Sequence, residues 1–388
     1  MTKEFSSETN LPWWKKGVIY QIYPRSFNDT SGNGIGDLKG ISKKISYLSS
    51  LGVDALWLSP IFTSPMKDMG YDVSNYTDID PLFGNILDFE KLIKKAKENK
   101  IKVIIDQVLS HSSDAHPFFK LSKSNKNNSK SDWYVWADPK PDGSPPNNWL
   151  SVFGGSAWEW DTGREQYYLH NFLKSQPDFN FHNLEVQKWL LSTVKFWLEK
   201  GVDGFRLDTA NYYFHDKKLR NNPAIKSRAS GKNPYYYQNL KYSINQKDNF
   251  AFLKKLRKLT DQYKETTMIG EISNVELQAK YTANNDKLHM AYSFDLLRDE
   301  FSPKHIRNTV SKFFKETKDG WPTWSFSNHD VVRHLSRWNK TKKDRQKFAK
   351  LTCALLMSLK GTPCIYQGEE LGQTQTKIEF DEIKDPPG

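Results

Sequence analysis

The sequence contains few cysteines, no leader-like apolar segment and no apolar run long enough to cross a membrane. Its two cysteines, Cys353 and Cys364, cannot form a disulfide framework and do not have metal-ligand spacing. The first residues, MTKEFSSETNLPWW, lack the apolar core of a signal peptide, and no stretch supplies the roughly 20 apolar residues of a membrane helix. These absences argue against a disulfide-rich secreted domain and predict no membrane partner, with a cytoplasmic location.

Positive charge is in excess, but it does not indicate a nucleic-acid partner. The formal net charge of +12 comes mainly from lysines in stretches such as 91–100 and 252–259, where they alternate with apolar residues at helical spacing. That spacing is typical of the solvated face of an amphipathic helix, and no nucleic-acid recognition motif accompanies it. We therefore expect no nucleic-acid partner, and the sequence does not indicate an oligomeric state.

Apolar, β-branched runs alternate with amphipathic helical stretches along most of the chain. This alternation is typical of an α/β fold with parallel strands. Eight segments have strand character: VIYQIYP (18–24), VDALWLSP (53–60), IKVIIDQV (101–108), VDGFRLD (202–208), TMIGEI (267–272), AYSFDLL (291–297), TWSFSN (323–328) and TPCIYQG (362–368). Eight strands with intervening helices predict a (β/α)8 barrel, the TIM-barrel fold.

The regular alternation is interrupted once, between the third and fourth predicted strands. Residues 112–178 are rich in Asn, Ser, Lys, Pro and Trp, and the segment is too long for an ordinary connection between a strand and a helix. We predict a discontinuous barrel formed by 1–111 and 179–388, with 112–178 as a small inserted domain.

Three separate predicted strands have a carboxylate at or near their C-terminal end. The segments are GFRLDTAN (204–211), IGEI (269–272) and FSNHD (326–330), and they carry Asp208, Glu271 and Asp330. The C-terminal ends of barrel strands open on one face, so these side chains can converge there. A pocket with several carboxylates is the arrangement that cleaves a glycosidic bond.

The surroundings of two of these acids suggest different roles. Arg206 precedes Asp208 by two positions in a strand, so both side chains point to the same side, and a guanidinium is expected to lower the pKa of its carboxylate neighbour. Glu271 follows an apolar strand, where desolvation and like charges raise a pKa as a general acid requires. Taken alone, Arg206 and Asp208 also fit a structural ion pair, and Glu271 fits a helix cap.

Together these segments closely resemble the signature regions of the α-amylase family, glycoside hydrolase family 13. DQVLSH (106–111), GFRLDTAN, IGEI and FSNHD are similar to its four main regions, and QPDFN (176–180) to an additional one. The segments WWKKGVIYQIYPRSF (13–27) and GYDVSNYTDIDPLFG (70–84) resemble its α-glucosidase and oligo-glucosidase branch.

The resemblance implies a role for nine residues. Asp208 would be the nucleophile, Glu271 the acid/base and Asp330 the stabiliser of the transition state. The residues implied to surround the sugar are Tyr71 as stacking platform, Asp72 as a ligand of sugar hydroxyls, His111, Arg206 and His329 as hydrogen-bonding partners, and Thr209 as the residue that follows the nucleophile.

The activity implied is hydrolysis of short, maltose-like α-glucosides by double displacement with retention, and no cofactor is needed for catalysis. The two catalytic carboxyl groups would be roughly 5–5.5 Å apart. In similar enzymes a small residue such as Thr209 goes with α-1,4 linkages and Val with α-1,6. The partner implied is therefore a small α-linked oligosaccharide.

Several alternatives stay open at this point. An oligo-1,6-glucosidase, or a transglucosylase or isomerase acting on sucrose or trehalose-type sugars, would have the same catalytic residues. A non-catalytic binding protein of another class would have lost them. Family members continue through an Arg-Thr-Pro-Met motif into a C-terminal β-sandwich, whereas this sequence stops at DEIKDPPG (381–388). We therefore expect a C-terminally truncated fragment that lacks the sandwich and binds substrate poorly, or is inactive.

A second candidate site lies in NDTSGNGIGD (28–37). Oxygen donors alternate there with glycines in a pattern similar to a calcium loop. The candidate ligands are Asp29, Ser31, Asn33, the carbonyl of Ile35, and Asp37. The segment is either a weak structural calcium or magnesium site or an ordinary glycine-rich turn.

Overall fold

The protein is represented by a computed structural model, which describes residues 11–225, 233–341, 344–379 and 382–383. The expectations for the first ten residues, and for most of DEIKDPPG, lie outside these ranges. Within the described ranges, no helix is both long enough and apolar enough to cross a membrane.

Eight parallel strands form a barrel, as the sequence predicts. They are β1 (Ile19–Ile22), β2 (Ala55–Leu58), β5 (Lys102–Gln107), β9 (Gly204–Leu207), β10 (Thr267–Ile272), β11 (Met290–Ser293), β12 (Thr323–Trp324) and β13 (Thr362–Tyr366). Their order around the sheet is β11, β10, β9, β5, β2, β1, β13, β12. A single parallel bridge between Ala291 and Pro322 joins the two outermost strands and closes the ring.

All eight predicted strands are confirmed, although most are shorter than the apolar runs from which they were predicted. One difference concerns the segment 291–297. Its strand ends at Ser293, and Phe294–Leu297 forms a 3-10 helix instead.

Helices follow most of the barrel strands. They are α1 (Trp13–Lys16), α2 (Pro24–Phe27), α3 (Leu38–Ser50), α4 (Ile86–Glu98), α6 (Leu184–Glu199), α7 (Asp248–Thr260), α8 (Val275–Thr282), α9 (Pro303–Glu316), α10 (His334–Trp338) and α11 (Arg345–Ser358). Side chains fix several N-termini: Asn85, Asn183 and Asn274 each accept a hydrogen bond from a backbone N–H in the first turn of α4, α6 and α8. Such caps satisfy donors that the helix itself cannot pair.

The helices pack on the barrel through one apolar face. In α6, Leu190, Val194 and Trp197 recur at spacings of four and three residues and are all fully buried, as expected for a stripe that faces the core. Trp197 also donates its indole N–H to the carbonyl of Tyr76, 2.7 Å away. This buried donor is thus paired, and α6 is fixed against strand β4 (Asn75–Ile79), which precedes α4.

Two small antiparallel sheets stand beside the barrel mouth. β3 (Phe62–Thr63) pairs with β4 (Asn75–Ile79), and a three-stranded sheet has the order β6 (Trp136–Ala137), β8 (Gln166–Leu169), β7 (Trp158–Asp161). The second sheet and helix α5 (Pro117–Ser124) lie within 112–178. Trp149 and Trp158 stack at 5.9 Å in a separate apolar cluster there. The domain boundaries drawn at 112 and 178 stay a prediction.

Candidate active site

A cavity of about 800 Å³ opens at the C-terminal ends of the barrel strands. Its lining is polar at one end and mostly apolar elsewhere. The polar end is lined by eight side chains, of which those around Arg206 are buried: Asp68, Tyr71, His111, Arg206, Asp208, Glu271, His329 and Asp330. The rest of the lining consists largely of aromatic and aliphatic residues. All three predicted catalytic carboxylates therefore meet in one cavity.

Arg206 brings the acids of three neighbouring strands together. Its Nη1 lies 2.8 Å from Asp106 and 2.7 Å from Asp208, and its Nη2 lies 2.9 Å from Glu271. The side chain is 1% exposed, and strands β5, β9 and β10 are adjacent in the sheet. Because β9 and β10 pair with Leu207 opposite Gly270, the next residues, Asp208 and Glu271, end side by side.

Burial sets the protonation of these acids. It raises the pKa of Asp106 to about 6, of Asp208 to about 7 and of Glu271 to about 8, although the Arg206 charge opposes all three shifts. The expectation that Arg206 leaves Asp208 with a lowered pKa is wrong, because desolvation and the neighbouring Asp106 outweigh the guanidinium. The order of the two acids is nevertheless the expected one, with Glu271 holding its proton to higher pH.

Asp330 and His329 line the polar end of the cavity beside Tyr71. The imidazole of His329 stacks on Tyr71 with ring centres 5.4 Å apart, and its Nε2 lies 2.7 Å from the Tyr71 hydroxyl and 3.2 Å from Asp330. The amide nitrogen of Gln21 donates to Nδ1, so Nε2 carries the ring proton. Burial lowers the pKa of His329, and the neutral ring can donate this proton to Asp330.

Tyr71 and His111 both line the cavity. The Tyr71 hydroxyl donates to Asp106 at 3.0 Å. His111 is buried, with Nε2 3.2 Å from the Tyr71 carbonyl and Nδ1 2.8 Å from the Ser110 hydroxyl. Burial lowers the pKa of His111 to about 4, which leaves a neutral ring at the cavity wall.

Asp72, by contrast, does not reach the cavity. The side chain is fully buried, and it accepts hydrogen bonds from the Ser64 hydroxyl and from the backbone N–H groups of Lys67 and Asp68. Asp72 thus holds a turn together. The carboxylate that lines the cavity from this loop belongs to Asp68, which accepts a 2.6 Å hydrogen bond from the buried amide of Gln176.

Thr209 lines the cavity in a strained backbone conformation. Its φ angle is +41°, a region in which a β-branched residue is costly. Two contacts accompany this geometry: the Thr209 N–H donates to Glu271 at 2.9 Å, and its hydroxyl lies 2.9 Å from that of Ser110. The strained turn therefore aims a backbone donor at the carboxyl group of Glu271.

Reasoning from the sequence missed Asp68, Gln176 and the aromatic lining. Asp68 lies four residues before Asp72, and nothing in the local pattern distinguishes the two. Gln176 is the first residue of QPDFN, but the motif does not indicate that its side chain contacts Asp68 and His111.

The candidate metal loop is arranged as a network of hydrogen-bonded turns. Asp29 accepts from the backbone of Ser31, Gly32 and Gly34. Asp37 accepts from the backbone of Thr30 and caps α3 through Gly40, while Asn33 bonds the N–H of Ile35. No cluster of three or more His, Cys, Asp or Glu side chains that could hold a metal occurs in the described parts of the chain. The choice between a turn and a metal site stays a prediction.

Comparison with known proteins gives consistent matches. A family model described as the catalytic domain of alpha amylase matches residues 21–387. A probable alpha-glucosidase of Rhizobium meliloti (strain 1021) is 52% identical over 392 residues, covering 98% of this chain and 71% of that protein. An oligo-1,6-glucosidase of Heyndrickxia coagulans is 41% identical, with coverage of 96% and 69%.

The fold also matches solved structures. The crystal structure of an alpha-glucosyl transfer enzyme, XgtA, superposes with a TM-score of 0.95 at 52% identity, covering 97% of this chain and 72% of that one. The fold of this chain is therefore shared, over 97% of its length, with a protein whose structure has been solved by experiment.

Proposed function

The chain belongs to the α-amylase family of glycoside hydrolases, and from this premise we propose that it is a retaining α-glucosidase acting on short α-glucosides. One observation carries the proposal: a single buried guanidinium, that of Arg206, contacts both Asp208 and Glu271 at the cavity floor. Two carboxyl groups on adjacent strand ends can reach the same anomeric carbon and its glycosidic oxygen, as double displacement requires.

The two acids divide the reaction between them. Glu271, whose pKa is raised to about 8, donates its proton to the glycosidic oxygen while Asp208 attacks the anomeric carbon. Glu271 then removes a proton from water, which attacks the same carbon and releases Asp208. Asp330 lies beside the positive charge that develops on the sugar ring, and the neutral His329 and His111 line the cavity next to the hydroxyls of the bound sugar.

We assign the ligand of the sugar's hydroxyl groups to Asp68 rather than Asp72. Asp68 lines the cavity, and the Gln176 amide that contacts it also lies 3.2 Å from His111 Nε2. Gln176 can therefore hold Asp68 and His111 in a fixed relation. Asp72 has hydrogen bonds from its own loop and would act on the sugar only by supporting Asp68.

The preferred linkage is proposed to be α-1,4, on the basis of Thr209. A transglucosylase is the second candidate, because the similar XgtA is described as an alpha-glucosyl transfer enzyme. In both, the chemistry up to the covalent intermediate is the same, and they differ in whether water or a sugar hydroxyl resolves it.

The proposal is tested by incubating the chain with maltose, isomaltose, sucrose and trehalose and identifying the products. We expect glucose from maltose, a lower rate with isomaltose, and loss of turnover by about 10⁴-fold or more in Asp208→Asn. The matched control is Asp142→Asn, because Asp142 lies in an exposed turn. Near-normal hydrolysis by Asp208→Asn would contradict the assigned nucleophile, and a strong preference for isomaltose would contradict the linkage.

A further inference from the structure

We propose that Ser110 is a positioning residue for the nucleophile: its hydroxyl oxygen accepts the proton of the Thr209 hydroxyl and so keeps that proton off the Asp208 carboxylate. The inference rests on the proposed function, because it takes Asp208 as the group that attacks the anomeric carbon. Ser110 is 1% exposed and contacts two residues of the cavity lining, His111 and Thr209. It therefore acts on the reaction from behind the cavity wall.

A row of polar side chains joins His111 to the nucleophile. Ser110 Oγ lies 2.8 Å from His111 Nδ1 and 2.9 Å from Thr209 Oγ1. Thr209 Oγ1 in turn lies 3.3 Å from Asp208 Oδ2. Arg206 donates to the other carboxylate oxygen, Oδ1, at 2.7 Å, so Oδ2 is the oxygen that keeps its lone pairs for the attack.

The Thr209 hydroxyl is too far from Asp208 to donate to it. A hydroxyl that donates to a carboxylate lies about 2.5–2.7 Å from it, and an ordinary O–H···O bond reaches about 3.0 Å. The contact between Thr209 and Asp208 exceeds both ranges at 3.3 Å, whereas the contact between Thr209 and Ser110 is an ordinary bond at 2.9 Å.

The imidazole of His111 takes the proton of Ser110. Burial lowers the pKa of His111 to about 4, so the ring is neutral and has one N–H. Its Nε2 lies 3.2 Å from the carbonyl oxygen of Tyr71, which can only accept. The ring proton is therefore on Nε2, and Nδ1 accepts from Ser110. Because Ser110 gives its own proton to the ring, its oxygen is the acceptor for Thr209.

Gln176 favours the other tautomer of the same ring. Its amide nitrogen, which can only donate, lies 3.2 Å from His111 Nε2. The same nitrogen donates to Asp68 at 2.6 Å, a shorter and charge-assisted bond. The tautomer that Gln176 favours would reverse the row and end it in a bond from Thr209 to Asp208. The 3.3 Å distance between those two residues is too long for that bond, so the contact with Tyr71 sets the tautomer.

A proton on Oδ2 would weaken the nucleophile. A hydrogen bond from Thr209 would stabilise the charged form of Asp208 and lower its pKa, and it would have to break as Oδ2 attacks. The other titratable groups that face Asp208 are one cation, three acids and three tyrosines: Arg206, Asp106, Glu271, Asp330, Tyr71, Tyr76 and Tyr213. A substitution of Ser110 replaces none of them.

The first variant is Ser110→Ala, which leaves the Thr209 hydroxyl with the Asp208 carboxylate as its acceptor. We expect kcat/KM for maltose to fall about tenfold and the acid limb of its pH profile to move down by about one pH unit. Loss of packing alone would lower activity without that shift. Ser112→Ala is the matched control, because Ser112 is a similarly buried serine that bonds to the Tyr134 hydroxyl instead, and it should keep the limb in place.

The second variant combines Ser110→Ala with Thr209→Ala. Because the hydroxyl is then absent, the acid limb should lie where it does in Thr209→Ala alone, and the loss of Ser110 should cost less than about twofold in that background. An acid limb that stays in place in Ser110→Ala, or that remains shifted in the double variant, would overturn the proposal.

The pKa of Asp208 can also be measured without turnover, from the ¹³C signal of its carboxyl group, which is identified by its loss in Asp208→Asn. Its titration midpoint should move down by about one pH unit in Ser110→Ala, and an unchanged midpoint would contradict the role of Ser110. Failure to cleave maltose or any of the other three sugars would count against the proposed function instead, and the midpoint would still test the hydrogen bond.

Discussion

At the scale of single residues, the site depends on one arginine shared by three acids. Arg206 was predicted to accompany Asp208, and the structure places it against Asp106 and Glu271 as well. Its charge cannot keep all of them ionised in a buried site, so the acids retain protons to an unusually high pH. Sequence patterns identify the residue types at strand ends, but desolvation depends on everything that covers them.

The pH dependence of kcat/KM should report the ionisation of Asp208 and of Glu271. The active form holds one proton, on Glu271, so activity should rise as Asp208 ionises near pH 7 and fall as Glu271 ionises near pH 8,. In Glu271→Gln the basic limb should disappear when 4-nitrophenyl α-glucoside, which needs no acid, is the substrate.

Glu276→Gln is the control for that measurement, because Glu276 lies at the surface and pairs with Lys312. The control should retain both limbs. A basic limb that persists unchanged in Glu271→Gln would show that another group is the acid.

The contrast between Asp68 and Asp72 shows where residue-level prediction ends. Both lie in one short segment, and only the path of the backbone decides which reaches the cavity. Met69 and Gly70 have φ angles of +49° and +110°, which reverse the chain between the two aspartates. Such left-handed turns override the simple alternation of sides from which a strand is predicted.

At the scale of elements, the barrel strands were predicted well because buried parallel strands are nearly continuous apolar runs. The short β3–β4 pair and the 3-10 helix Phe294–Leu297 were not predicted. They are two to five residues long, too short to produce a period. The catalytic acids were found because they lie in or shortly after apolar runs that predict strands, while much of the aromatic lining lies outside the helices and strands.

The pairing of β9 with β10 should depend on Gly204. A Cβ at this position would lie 2.2 Å from the backbone carbonyl oxygen of Thr267, so Gly204→Ala must push the two strands apart. We expect a loss of about 3 kcal/mol in the free energy of unfolding, measured by urea denaturation. Gly163→Ala is the control, because the nearest atom to a Cβ there is 3.5 Å away, and an equal loss in both variants would contradict this account.

The start of α3 tests the two interpretations of residues 29–37. If Asp37 acts as a cap, Asp37→Ala should lower the free energy of unfolding by about 1–2 kcal/mol, and EDTA should leave the thermal midpoint unchanged. If the loop held calcium or magnesium, chelation would lower the midpoint and an excess of the ion would restore it. Thermal unfolding with EDTA, with calcium and with magnesium distinguishes these outcomes.

At the scale of the whole molecule, stability should decline as the pH rises from about 6.5 to 8. Burial raises the pKa of Asp178 and Asp208 to about 7 and of Glu271 to about 8, above their values in the unfolded chain. The folded state therefore holds protons that the unfolded state has already released, and this stabilisation is lost as the pH passes the folded pKa values. Buried histidines such as His111 are neutral in the folded state throughout this range. In the unfolded chain they lose most of their protons by about pH 7.5, so they oppose the decline only at its start.

Asp178 separates this effect from catalysis. It accepts both of its hydrogen bonds from Asn171, and the amide of Asn171 can turn over to suit Asp178→Asn. The decline in the free energy of unfolding between pH 6.5 and 8 should shrink by roughly 1 kcal/mol in this variant. Asp142→Asn should keep the full decline, and an identical decline in all three proteins would contradict the role of Asp178.

The closure of the barrel has a consequence for how the molecule opens. Seven of its eight junctions are ladders, but β11 meets the β12 side through one bridge at Pro322, and proline has no N–H to donate. The barrel should open first at the junction that has the fewest backbone hydrogen bonds. Amide protons around that gap should therefore exchange with solvent sooner than those between β9 and β10, where a continuous ladder holds Asp208 beside Glu271,.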